Sequence, residues 1–400
     1  MGKHITGGFH LIADLGSQFW TFLAAAVLYN FAQFVFVLLY NLRLLDLGFR
    51  EDFLGVVSSA GTMGCVLGAI PAAALVRRFG LRSSLAGMVS TAACLGALRA
   101  LLVSRPALIG LAFVNGVNFS IWAVLMTPTV AGVVEEKRRP AAFSVFFAVM
   151  YSLGVLGGWL GGKLPSWVHG KQPALLLAAA LMAAAISPAL RLRPTPAAPP
   201  QARILPRSPF LLRYMIPFAL WHLATGAFNP FSNAYFARLN FPVERIGLVF
   251  SGSQLTQVIT VLFAPLVLRK AGLVRGIVWM MAATACGLGA LAAQPGSAAV
   301  LAFAAYMGFQ WMSEPGLSTL LMNQVLESER SGASALSFLV AFSAQAVAAW
   351  VAGSLLVRFG YGTVLAGAAV LTVAAACLFQ ALLGTPAPQS HAGCEQPVSD

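Results

Sequence analysis

Apolar runs of about 20 residues recur along this chain, divided by short polar links. They lie near 21–42, 53–76, 83–103, 107–132, 142–163, 173–192, 214–237, 246–268, 276–294, 299–323, 333–357 and 362–384. A run of that length matches the hydrocarbon thickness of a bilayer when it is helical. Inside lipid every backbone N–H and C=O must be bonded within the protein, which restricts the choice to helices or a closed barrel. The runs are continuous and do not alternate, so a barrel is excluded. Only 9% of the residues are charged and 59% are hydrophobic, against about 25% charged in a soluble domain. The sequence predicts an all-α membrane protein of twelve transmembrane helices.

The links alternate in charge. One set carries Lys3, Arg77, Arg78, Arg82, Lys137, Arg138, Arg139, Arg191, Arg193, Arg203, Arg207, Arg213, Arg269, Lys270, Arg275 and Arg330, 16 of the 25 basic residues. The other set carries 8, and Arg99 stands near a helix end where it is expected to snorkel. The basic excess places the first set, and both termini, in the cytoplasm of a multi-pass protein of the plasma (inner) membrane. The net charge of +13 is thus read as a topology signal and not as a nucleic-acid surface. Domain boundaries follow: a six-helix bundle over 1–190, a linker over 191–213 rich in Pro, Ala and Arg, a second six-helix bundle over 214–385, and a disordered cytoplasmic tail over 386–400. Of the five cysteines, Cys65, Cys94, Cys286 and Cys377 lie inside apolar runs without paired spacing. Neither a disulfide nor a metal site is expected.

The halves repeat. At an offset of 192, Asn41 meets Asn233, Gly55 meets Gly247 and Gly80 meets Gly272. At 191, Glu136 meets Glu327, Arg139 meets Arg330 and Gly162 meets Gly353. Six helices separate the members of each pair, so the repeat is parallel. That is a plan used by transporters that rock two bundles about a central site.

The link AALVRRFGLRSSL, 73–85, resembles the cytoplasmic loop signature of the major facilitator superfamily (MFS), G-x-L-x-D-R-x-G-R-R. Leu75, Arg78, Gly80 and Arg82 match, whereas Ala73, Arg77 and Leu81 depart from it. A weaker copy, PLVLRKAGLVRG, stands at 265–276. The resemblance covers the whole chain and implies the MFS fold and secondary transport by alternating access. It also implies a gating role for Arg77, Arg78, Gly80 and Arg82, with Arg77 standing where the family has an aspartate; the alternative is that these basic residues only fix topology. Glu135, Glu136, Glu327 and Glu329 are the available substitute anions. GGWLGG, 157–162, resembles the antiporter motif G-P-x-x-G-G with Gly158 in place of Pro, and leans the expectation towards efflux. Close helix packing alone would also explain its glycines.

In this family the first, fourth, seventh and tenth helices line the cavity. Each of these runs has a polar face here: Asn30 and Gln33; Asn115, Asn118 and Trp122; His222, Thr225, Asn229 and Asn233; Tyr306, Gln310 and Glu314. The eighth adds Gln254 and Gln257. These are the substrate-cavity candidates, and interhelical hydrogen bonding is the plain alternative for each. Phe228 and Trp311 are expected to add aromatic lining. Pro230 is a kink candidate.

Glu314 lies in FQWMSEPGLS, 309–318. It is either at a turn marked by Pro315 and Gly316, or a carboxylate at membrane depth. There it is either a structural group tied to a backbone amide or hydroxyl, or an acid kept for titration or for binding a cationic solute. Glu314 and His222 fall at a similar depth, about 13 Å at about 1.5 Å per residue. Glu314 is the proton-coupling candidate and His222 its relay or partner.

The sequence therefore predicts a secondary transporter of a small organic solute, proton-coupled and exporting, acting as a monomer in the lipid bilayer without cofactor. Nutrient uptake by proton or sodium symport is the alternative within transport, and a non-transporting membrane sensor or assembly factor is the alternative of another class. No arginine is expected at mid-depth in the four lining helices, which favours an amphiphilic or weakly cationic solute over an anion. No phosphate loop or nucleophile constellation suggests an enzyme.

Overall fold

The computed structural model describes residues 15–193, 209–293 and 296–384. The tail over 386–400 and most of the linker, 194–208, lie outside the described residues, and so do the expectations made for them.

All regular structure among the described residues is helical. Helix α1 spans Ser17–Asp46. The stretch Glu51–Leu101 breaks at Gly80 into α2 (51–79) and α3 (81–101). Next come α4 (Arg105–Gly132), α5 (Arg139–Trp167) and α6 (Lys171–Ala184, continued by Ile186–Leu190). Helix α7 (Pro209–Gly226) is interrupted by the tight turn Asn229–Phe231 and resumes as Ser232–Arg238. Helices α8 (Val243–Ala271), α9 (Leu273–Ala293) and α10 (Ala298–Gln324) follow. The stretch Arg330–Leu383 breaks at Gly360 into α11 (330–359) and α12 (361–383). Eight of these stretches, with each broken one taken once, are long and apolar enough to cross a bilayer. Helix α10 is not among them, because Gln310, Glu314 and Pro315 lower its hydropathy.

Two expectations are corrected at this level. Helix α7 begins at Pro209, so the last five residues assigned to the linker are helical. A proline without its N–H is well suited to a first turn, where that group has no intrahelical partner. The turn reading of SEPG is overturned, since α10 runs unbroken through it. Pro230, by contrast, sits in the interruption of α7.

The duplication is visible in the backbone. Gly80 (φ 75°) and Gly272 (φ 83°), 192 residues apart, both take a left-handed conformation that turns the chain sharply between helices. Glycine does this without the steric cost of a Cβ. Gly48 (φ 83°) is matched by Asn240 (φ 59°). The N–H of Phe49 reaches Leu44 O at 3.1 Å, and its equivalent, Phe241 N–H, reaches Phe236 O at 3.1 Å. The short 3-10 turns Glu136–Arg138 and Glu327–Glu329 also correspond.

Helices cross between the halves where glycines meet. A Cβ on Gly55 would stand 3.1 Å from Cα of Gly353, and one on Gly247 would stand 2.7 Å from Cα of Gly162. Repeat offsets relate Gly55 to Gly247 and Gly353 to Gly162, so the α2–α11 and α5–α8 crossings are copies of one contact. Van der Waals packing of small residues is what joins helices when lipid supplies no hydrophobic drive.

Candidate functional site

The ends of the bundle are named here by the linker. The linker end holds the start of α1 and the end of α6, where Arg193 N–H donates to Gln18 Oε1 at 2.8 Å. The opposite, far end holds most of the hydrogen bonds that tie the halves together; Ser251 Oγ of α8 adds one to Val155 O of α5 at 2.6 Å. Asn41 Nδ2 donates to Pro230 O (2.7 Å) and to Asn233 Oδ1 (3.1 Å). Asn233 Nδ2 returns to Leu38 O at 3.0 Å and Val37 O at 3.3 Å. Arg238 grips Glu51 with two bonds, Nε to Oε1 (2.7 Å) and an Nη to Oε2 (3.0 Å). Tyr361 Oη donates to Glu51 Oε1 at 3.4 Å. Glu51 is buried, so its charge depends on this clamp.

Beneath the clamp lies a cavity of about 320 Å³. Four of the predicted residues line it: Gln33, Asn115, Asn229 and Asn233. Helix α2 adds Ser58, Gly61, Thr62 and Cys65, one face at helical spacing that sequence reasoning passed over. Aromatic walls come from Phe36, Phe119, Phe250 and Phe342. The unexpected member is Arg99 of α3. Its guanidinium lies 4.0 Å from the Tyr40 ring centroid and 4.9 Å from that of Phe36. The expectation that Arg99 snorkels to the surface is corrected: side chains lean towards the start of their helix, and α3 starts at the linker end, so Arg99 leans inwards.

The other predicted residues are placed elsewhere. Asn30 Nδ2 bonds to Ala26 O of its own helix at 2.8 Å. Asn118 Nδ2 ties α4 to Met88 O of α3 at 3.0 Å. Trp122 is buried between Phe22 and Tyr29. Thr225 is fully buried. Gln254 packs over Gly154, and Gln257 is buried with its amide nitrogen unpartnered. Tyr306 Oη donates to Asn229 Oδ1 at 2.7 Å and so reaches the cavity only through it. Gln310 is buried, with Oε1 unpartnered. Phe228 lies in an aromatic cluster with Tyr235, Phe303 and Tyr306, and Trp311 is exposed on the outer surface.

Glu314 does not meet His222. The carboxylate lies beside Trp221 and Tyr214 of α7, and the Trp221 N–H falls outside hydrogen-bond geometry. His222 Nδ1 instead pairs with Gln345 Nε2 of α11 at 3.0 Å, and its Nε2 is buried without a partner. No cation stands within ion-pair distance of Glu314 among the described residues. Arg77 and Arg78 are exposed at the Gly80 turn, Arg78 lying over the Phe79 ring at 5.5 Å. Glu135 and Glu136 approach their own neighbours Arg138 (3.7 Å) and Arg139 (3.9 Å) rather than that turn. No group of metal-ligating side chains occurs among the described residues.

Helices duplicated in parallel around a mid-bundle cavity define a membrane transporter fold. The sequence profile of the Major Facilitator Superfamily matches residues 21–244, more than half of the chain, and the protein belongs to that family. Solved structures with the same fold include nucleoside transporter NupG, at 16% identity and TM-score 0.75 over 92% of this chain and 99% of that one. A D-xylose–proton symporter aligns at 15% identity and TM-score 0.71, over 90% of this chain and 96% of that one. A bacterial homolog of the human lysosomal transporter Spinster, in an inward-facing and unoccupied conformation, aligns at 12% identity and TM-score 0.74, over 91% and 96%. No curated protein matches the sequence.

Proposed function

We propose that this protein is a secondary transporter that moves a small organic solute by alternating access, linked to protons through Glu314. Twelve helices cross the inner membrane in two parallel six-helix bundles. Both termini face the cytoplasm, so the far end is the outer face. The observation that carries this reading is the cavity of about 320 Å³ beneath a clamp of polar contacts between the halves. Such contacts can separate without unfolding either bundle. Solved relatives that transport nucleosides or carry xylose with protons are in keeping with it.

Glu314 is a carboxylate at membrane depth with no cation within ion-pair distance among the described residues. That is the situation in which an acid exchanges its proton as its surroundings change. His222, held by Gln345, is a further protonatable group of the same bundle and the relay candidate. Export is the expectation drawn from the glycines of α5. Gly158 and Gly162 press on Gly247 of α8, and that close packing by itself accounts for both glycines.

The test is a solute panel in proteoliposomes of known orientation, with an imposed pH gradient, run beside Glu314→Gln. Solute movement driven by the gradient in wild type and lost in the variant is expected. Full gradient dependence in Glu314→Gln defeats the coupling role.

A further inference from the structure

The geometry points to Arg99 as the recognition site for a carboxylate: we propose that the solute is a small organic monoanion whose acid group binds the Arg99 guanidinium and whose apolar part rests on the cavity aromatics. This deepens the transport reading and rests on it.

Of the described residues that line the cavity, Arg99 alone carries a charge. No carboxylate lies within ion-pair distance of it among the described residues. Its Nε is buried without a hydrogen-bond partner, and so is Tyr40 Oη, beneath the guanidinium. Arg99 is half-buried; a cation held partly out of water without an anion is unfavourable, and a bound carboxylate lowers that cost. Tyr40 and Phe36 stack on each other, 5.2 Å between centroids, and lie together on one side of the guanidinium. Its edge, a planar fork of N–H donors suited to two carboxylate oxygens, stays free.

The rest of the cavity fits the same ligand class. Ser58, Thr62, Gln33 and Asn115 offer neutral donors and acceptors, and Phe119, Phe250 and Phe342 offer apolar surface. A volume near 320 Å³ sits at the lower limit for ligand pockets and suits a small molecule. A single positive charge matches a monoanion better than a phosphate dianion. The sequence could not show this, because Arg99 is four residues from the end of its apolar run, 83–103, and lies on a helix not expected to line the cavity.

The experiment measures thermal stabilisation of the purified full-length protein by matched compounds: aromatic carboxylates such as benzoate and phenylacetate, their neutral amides, and the corresponding amines. Carboxylates are expected to raise the Tm of wild type, with amides and amines giving no shift. Arg99→Gln should abolish the carboxylate shift, Arg99→Lys should retain part of it, and Tyr40→Phe should weaken binding several-fold while keeping the ring beneath the guanidinium. Gel-filtration profiles and helical circular dichroism establish that each variant is folded. The proposal is overturned if no carboxylate stabilises wild type, if amides or amines do so equally, or if the shift survives in folded Arg99→Gln. Carboxylate binding without movement in proteoliposomes would sink the transport reading and leave this site standing. Transport of neutral or cationic solutes unaffected by Arg99→Gln would do the reverse.

Discussion

Asn41 and Asn233 occupy the same position in the two halves, 192 residues apart, and donate across the join, Asn41 Nδ2 reaching Asn233 Oδ1 at 3.1 Å. Residues related by a duplication meet only on the axis that relates the copies. The pair therefore marks the axis that relates the two bundles, directly above the cavity that both border.

The two asparagines should be energetically coupled. A double-mutant cycle with Asn41→Ala and Asn233→Ala, followed by thermal unfolding in detergent, should give a coupling of about 0.6 kcal/mol, the average for hydrogen bonds between membrane helices. Strict additivity would mean that each asparagine acts only on its neighbouring carbonyls.

The Glu51–Arg238 clamp should hold the far end shut. Removing one partner from a charged, half-exposed hydrogen-bonded pair costs about 2 kcal/mol, enough to move a two-state equilibrium roughly 30-fold. In a cysteine-free background carrying Ser58→Cys, Arg238→Gln should raise the rate of thiol labelling from the far side. The charge swap Glu51→Arg with Arg238→Glu should lower it again. An unchanged rate in Arg238→Gln would show that the glycine crossings close the far end without the ion pair.

Gly247 and Gly252 stand one and a half turns apart in α8 and should respond oppositely. A Cβ on Gly247 runs into the backbone of α5, whereas one on Gly252 meets open space. Gly247→Ala should lower stability by about 1–3 kcal/mol, as overpacking does. Gly252→Ala should raise it by about 0.4–1 kcal/mol through loss of unfolded-state freedom. Thermal denaturation of both reads the difference, and equal Tm changes would contradict the crossing geometry.

Tyr306 holds the broken turn of α7 through Asn229. Tyr306→Phe should cost about 1 kcal/mol and speed amide hydrogen exchange at 227–233 more than elsewhere in α7. Uniform exchange along the helix would remove Tyr306 as the brace of that turn.

Much of the fold was legible in the sequence because bilayer thickness and backbone satisfaction are one-dimensional constraints. They set run length and helical state before any tertiary contact forms. The helix breaks were readable wherever glycine or proline carried them, as at Gly80 and Pro230. Periodicity likewise found the polar faces of α1, α4, α7 and α10.

Periodicity does not say what a polar face meets. Asn115 opens to the cavity and Asn118, one turn on, ties α4 to α3. Glu314 and His222, matched in depth, face different helices. Arg99 looked like a surface anchor and became the charge of the cavity. Depth along a helix follows from residue number, but azimuth, and the partner found there, depends on how helices rotate and cross. The sequence determined a duplicated helical membrane protein; the tertiary structure alone decided which polar atoms are spent holding it together and which remain free for a ligand.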